Sequence, residues 1–93
     1  MSFFLEAVSK KKHMFSGNVI KIYIEGVEGQ LCIYSNHMPL FTCIKPGLLY
    51  ILDNKNKEHS FYVSHGILEI QPSYVIVLSD TITSYLNLDK KFV

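Results

Sequence analysis

Hydrophobic side chains recur at every second residue along almost the whole chain, and that period belongs to strands. In "NVIKIYIE", Ile20, Ile22 and Ile24 fall on one side while Val19, Lys21, Tyr23 and Glu25 fall on the other. "SFFLEAVS" sets Phe3, Leu5 and Ala7 against Phe4, Glu6 and Val8, and shorter runs follow at 31–34, 40–44, 48–52, 59–63, 67–71 and 74–78. Between them stand "EGVEG", "SNHMP", "KPG", "DNKNK", "SHG" and "QPS". These are rich in residues that set turns through positive φ, fixed φ or side-chain capping. Turn signals recur roughly every 8 to 12 residues, the spacing of an all-β sandwich or barrel. The pattern predicts an all-β fold: a two-sheet antiparallel β-sandwich of about nine or ten short strands. Its expected core, or surface beneath a partner, comprises Ile20, Ile22, Ile24, Leu31, Ile33, Ile67, Ile70 and Val77.

The alternation stops near the end, where "SYLNLDKKFV" reads as a polar cap and then basic residues. Asn87 or Asp89 suits the cap of a helix starting near Leu88, with room for at most one turn. The expected division is a β-sandwich domain over residues 1–84 and the truncated start of a helical segment over residues 85–93.

A chain of 93 residues makes one domain with a modest core. Its net charge of +1, from nine lysines without an arginine, sets up no field for a polyanion, and nucleic acid is excluded as a partner. Apolar stretches such as "LLYIL" and "YVIVL" fall far short of the ~20 residues of a membrane span, so direct insertion is not expected. The opening "MSFFLEAVS" has neither a secretory nor a transit pattern, which predicts a reducing compartment. Cys32 and Cys43 are too few and too far apart for a zinc knuckle or a CxxC pair, and they read as reduced and buried or half-buried.

Catalytic readings fail on spacing. Ser64 and His65 are adjacent, and adjacent strand residues point to opposite faces, so they are badly placed to share a proton. His13, His37, His59 and His65 show no H-x-E or H-E-x-x-H spacing that aims ligands at a metal. "GVEG" lacks a following GK[ST] and a helix, and reads as a hairpin turn rather than a phosphate cradle. The expectation is no catalytic residue, no metal, no cofactor and no nucleotide binding.

"MFSGNVIKIYIEGVEGQLCIYSNHMPLFTCIKPG" followed by "SHGILEIQPSYVIVLSD" resembles, collinearly and over nearly the whole chain, the epsilon subunits of bacterial F-type ATP synthases. The resemblance implies a β-sandwich at the foot of the gamma subunit and against the loops of the c-ring. It would be a non-catalytic rotor part coupling proton flow to ATP synthesis, peripheral at the cytoplasmic face of the bacterial inner membrane. Residues matching the gamma-facing positions are Ser9, His37, Thr42, Ser64, Glu69 and Asp80; those matching the c-ring loop are Glu28, Gly29 and Gln30. His37, on a loop held by Pro39, is expected to reach a partner's hydroxyl or carboxylate.

The departures from the family pattern are specific. Gln30 replaces a Glu and can still hydrogen-bond. Ser35 and Asn36 replace Pro-Gly, with Asn36 the non-glycine residue best suited to a left-handed conformation. His65 replaces a Gly beside Gly66, and Phe92 takes the place of the arginine in the family's helical L-D-x-x-R-A motif. The resemblance therefore implies loss of the inhibitory hairpin. The competing reading is a free-standing sandwich that binds a small ligand or a protein. It needs clustered aromatics, whereas the tyrosines at 23, 34, 50, 62, 74 and 85 are spread in sequence as on sheet faces.

Overall fold

The computed structural model describes residues 1–84. Nine strands follow one another: β1 (Phe3–Ser9), β2 (His13–Gly26), β3 (Gly29–Tyr34), β4 (Leu40–Ile44), β5 (Gly47–Asp53), β6 (Glu58–Val63), β7 (Gly66–Ile70), β8 (Tyr74–Ser79) and β9 (Ile82–Ser84). No helix occurs among the described residues. The helical start expected over residues 85–93, with its truncation, lies outside them.

The long strand β2 organises both layers. Its first half pairs with β1, from Phe3 opposite Val19 to Val8 opposite His13. Its second half pairs with β3 on one side and β5 on the other. One layer thus runs β2-β1-β8-β7-β4 and the other β3-β2-β5-β6-β9, joined into one hydrogen-bonded path because β2 belongs to both. Between Val19 and Lys21 the register with β5 slips by one residue. Such a β-bulge bends a strand and switches which residues face inward. Val19 is accordingly fully buried before the slip, Ile22 and Ile24 after it, and Ile20 is only half-buried. The uniform alternation read across "NVIKIYIE" therefore holds from Ile22 onward and is corrected at Ile20.

Every strand places at least one side chain in the core, from Phe3, Leu5 and Ala7 of β1 to Ile82 of β9. Ile33, Ile70 and Val77 are buried as expected, and Leu31 packs half-buried against them. Ile67 is outside the core, on the outer surface of its sheet, with Leu68 and Ile70 pointing inward. Both cysteines are free and exposed, which corrects the expectation of burial. They occupy outward positions of β3 and β4, where alternation gives the inward positions to Ile33 and Ile44.

One pairing is parallel. β1 runs beside β8 from Phe4 opposite Tyr74 to Ser9 opposite Ser79, among otherwise antiparallel ladders. These strands come from opposite ends of the chain, so no tight turn sets their relative direction. In the β3–β4 connection Asn36 takes φ 61, the left-handed conformation its residue type favours.

Candidate docking surface

Strands β1, β8, β7 and β4 are apolar on both faces. The inner face fills the core. On the outer face, Phe41, Glu69, Ile76 and Glu6 form one cross-strand row, and Cys43, Ile67, Leu78 and Val8 form the next. Phe41 is 71% exposed and Leu78 47%, and Phe4, Ile67 and Tyr74 are also exposed. A contiguous apolar surface of this kind on a small protein marks a site of association. Glu69 sits within it, flanked across the ladders by Phe41 and Ile76, and accepts a hydrogen bond from Gln71 Nε2 at 3.4 Å. Its carboxylate gives the apolar sheet one polar anchor.

Ser9, Ser64 and Asp80 gather at one end of this sheet. Ser9 and Asp80 line a hollow of about 240 Å³ with Val8, Gly66, Ile67 and Leu78. The Ser9 hydroxyl also closes the β1–β2 turn, accepting from the Lys11 and Lys12 amides at 3.3 Å each. Ser64 Oγ lies 2.9 Å from Ser79 Oγ and accepts from the Thr81 amide at 2.9 Å, so it locks the β6–β7 corner to the β8–β9 corner. Asp80 stays at the surface, 3.4 Å from His65 Nε2 and 3.8 Å from Lys10 Nζ. His65 thus engages Asp80, and the Ser64 hydroxyl is bound to Ser79 and Thr81, leaving no serine–histidine relay between them.

Thr42 departs from that group. It lines a separate hollow of about 210 Å³ with Gly26, Glu28, Gly29, Gln30, Leu31 and Leu40, next to the β2–β3 turn. The structure therefore brings Thr42 together with the three residues matched to the ring-facing loop. Gly29 takes φ 135 in that turn, where a side chain would be strained.

His37 faces inward. Its ring meets Phe3 edge to face, with centroids 5.2 Å apart, and both ring nitrogens are enclosed without a hydrogen bond. Burial lowers its pKa from the ordinary value, against a smaller opposing effect of its own backbone. The outward reach expected of this side chain is absent from this arrangement.

The other layer is tyrosine-rich on its outside. Tyr23 and Tyr50 stack with centroids 5.7 Å apart, and Lys21 Nζ lies 5.4 Å from the Tyr23 ring centre, within cation–π range. Together with Glu25, Gln30 and Leu48 they line an open hollow of about 390 Å³. Tyr50 donates to Glu58 Oε2 at 3.0 Å, and burial first and this carboxylate second raise its pKa.

Among the described residues no three His, Cys, Asp or Glu side chains converge as metal ligands. Sequence reasoning picked out polar contacts and, Ile67 apart, passed over the apolar sheet around them. Its signal was present: "FFLEAVS" and "YVIVLS" carry apolar residues at both parities, as strands covered on both faces do.

A small two-layer β domain with an apolar sheet face, a glutamate within it and serine and aspartate at one end offers a surface suited to docking. The family model described as ATP synthase, Delta/Epsilon chain, beta-sandwich domain, matches residues 2–84, and the chain belongs to that family. The fold is similar to a chain of the Euglena gracilis mitochondrial ATP synthase, solved as OSCP/F1/c-ring in rotational state 1. That match has a TM-score of 0.88 and 16% identity, covering 98% of this chain and 58% of that one. A chain of the Tetrahymena thermophila mitochondrial ATP synthase central stalk/c-ring matches with a TM-score of 0.76 and 16% identity, covering 95% of this chain and 70% of that one. This chain thus spans a little over half the length of the first relative, and at such identity the likeness concerns the fold.

Proposed function

We propose that this chain is a non-catalytic central-stalk subunit of an F-type ATP synthase, seated between the gamma subunit and the c-ring. The observation that carries the reading is the apolar outer face of β1, β8, β7 and β4 in a chain of the delta/epsilon β-sandwich family. A rotor part must hold partners rigidly rather than turn over substrate. Two layers locked by a shared strand, with side chains of every strand in one core, suit that work.

In this reading gamma covers the apolar face, with Glu69 inside the contact and Ser9, Ser64 and Asp80 at its end. Glu28, Gly29 and Gln30 turn toward the ring loops with Thr42 beside them, the loop that carries His37 borders gamma, and proton flow is coupled to ATP synthesis through the rotation of the whole stalk. The chain would be peripheral, at the cytoplasmic face of a bacterial inner membrane, held there by the complex.

Co-purification tests this. The tagged chain should capture gamma alone and, with gamma present, the detergent-solubilised c-ring. A chain that captures neither, or an isolated chain that hydrolyses ATP in step with its own concentration, would overturn the assignment.

A further inference from the structure

The β3–β4 loop is built from residues that fix its shape. Asn36 takes φ 61, Pro39 fixes the exit into β4, and between them His37 turns in while Met38 turns out at 83% exposure. The inward ring covers Phe3, itself 2% exposed, at the start of β1. His37 is half-buried, yet both its ring nitrogens are enclosed with no partner beyond its own backbone, which is costly for the neutral ring and more so for the charged one.

We propose that this loop is a proton-released latch, closed over Phe3 while the His37 imidazole is neutral and opened when it takes up a proton.

The aromatic ring packed against it is that of Phe3 in β1, which carries no charge. None of the ion pairs among the described residues includes His37; the other three histidines face Glu6, Asp53 and Asp80. An imidazolium at this position has no carboxylate within ion-pair distance and only its own backbone to favour it, so water is the better surrounding for the charged ring. Burial already holds the pKa of the closed form below its ordinary 6.5. The closed state therefore has its full stability above that value and loses it as pH falls below, by up to about tenfold in the closed-to-open ratio per pH unit.

Opening would reach the docking face. Leu40 begins β4 directly after the loop, and Phe41 follows opposite Glu69. Releasing His37 frees the end of β4 and loosens the register that presents Phe41, so proton uptake would weaken that sheet for any partner. The latch itself does not depend on which partner covers the sheet.

The test uses the whole 93-residue chain in solution, without partners. Nuclear Overhauser contacts between the His37 and Phe3 rings should be present at about pH 7.5 and vanish as His37 protonates. Amide protection in β4 (Leu40–Ile44), corrected for intrinsic exchange, should fall by up to about tenfold per pH unit over the same range. His37→Phe, which keeps an aromatic ring on Phe3 and removes the titration, should hold that protection constant from about pH 7.5 to about 5.5. Ring contacts that survive protonation, or equal pH dependence in His37→Phe, would overturn the latch. If His37→Phe does not fold, the ring contacts in the unaltered chain decide the matter alone.

Discussion

The carbonyl oxygen of Leu78 lies against Gly66 so closely that no β-carbon fits between them. A methyl group built on Gly66 would overlap that oxygen and stand 2.8 Å from Ser79 Cα, backbone atoms on both sides. The antiparallel pairing of β7 with β8 leaves no side chain that could swing away. Gly66→Ala should therefore cost about 3 kcal/mol, at the upper end for overpacking, and part the hollow that Ser9 and Asp80 line. Urea unfolding measures the loss; a variant as stable as the parent would show that the two strands separate freely.

Asp53 closes the β5–β6 hairpin. One carboxylate oxygen accepts from the Lys55 and Lys57 amides at 2.8 and 2.9 Å, and the other lies 2.9 Å from His59 Nε2. The His59 hydrogen bond first, and the Lys57 amide next, pull its pKa from 3.8 down to about 2. A depressed carboxylate stabilises the fold above its unfolded value and loses that contribution as pH falls toward the folded one. Stability should thus decline between about pH 3.8 and 2 through this group. Asp53→Asn should be less stable at neutral pH and show a shallower acid transition in circular dichroism.

Phe41 is too exposed to hold the fold and too large to be idle. Phe41→Ala should leave unfolding free energy within about 0.5 kcal/mol of the parent, yet weaken gamma binding by about 2 kcal/mol, roughly 30-fold. Glu69→Ala should weaken it by about 1 to 3 kcal/mol if its carboxylate is enclosed in the contact. Calorimetric titration with purified gamma measures both, and unchanged affinity in the double variant would move the docking surface elsewhere.

The two thiols report on opposite layers. Cys32 and Cys43 are exposed and should both react with a thiol reagent in the native chain. Cys43 stands beside Ile67 on the apolar face, while Cys32 stands opposite Tyr23 on the tyrosine face. Gamma should protect Cys43 and leave Cys32 reactive; mass spectrometry of the labelled chain would expose the reverse.

Strand positions were readable because a pleated backbone sends alternate side chains to opposite faces, so "SFFLEAVS" set Phe3, Leu5 and Ala7 apart from Phe4, Glu6 and Val8, and packing then turned the first set inward. Asn36 was readable too, since left-handed φ is a local preference. The resemblance matched residues to ring-facing and gamma-facing positions, but it did not give their grouping. Thr42 joined Glu28, Gly29 and Gln30, and Ser64 was bound into a corner with Ser79 and Thr81.

By itself, the sequence determined the class of fold, the order of strands and turns, and the absence of any spacing suited to catalysis, because each follows from residues near one another in the chain. Only the tertiary structure decided that β1 lies parallel to β8, that a bulge hands the core from Val19 to Ile22, and that His37 turns inward onto Phe3. Those outcomes depend on which distant strands meet and how closely they pack, energies that no local pattern carries.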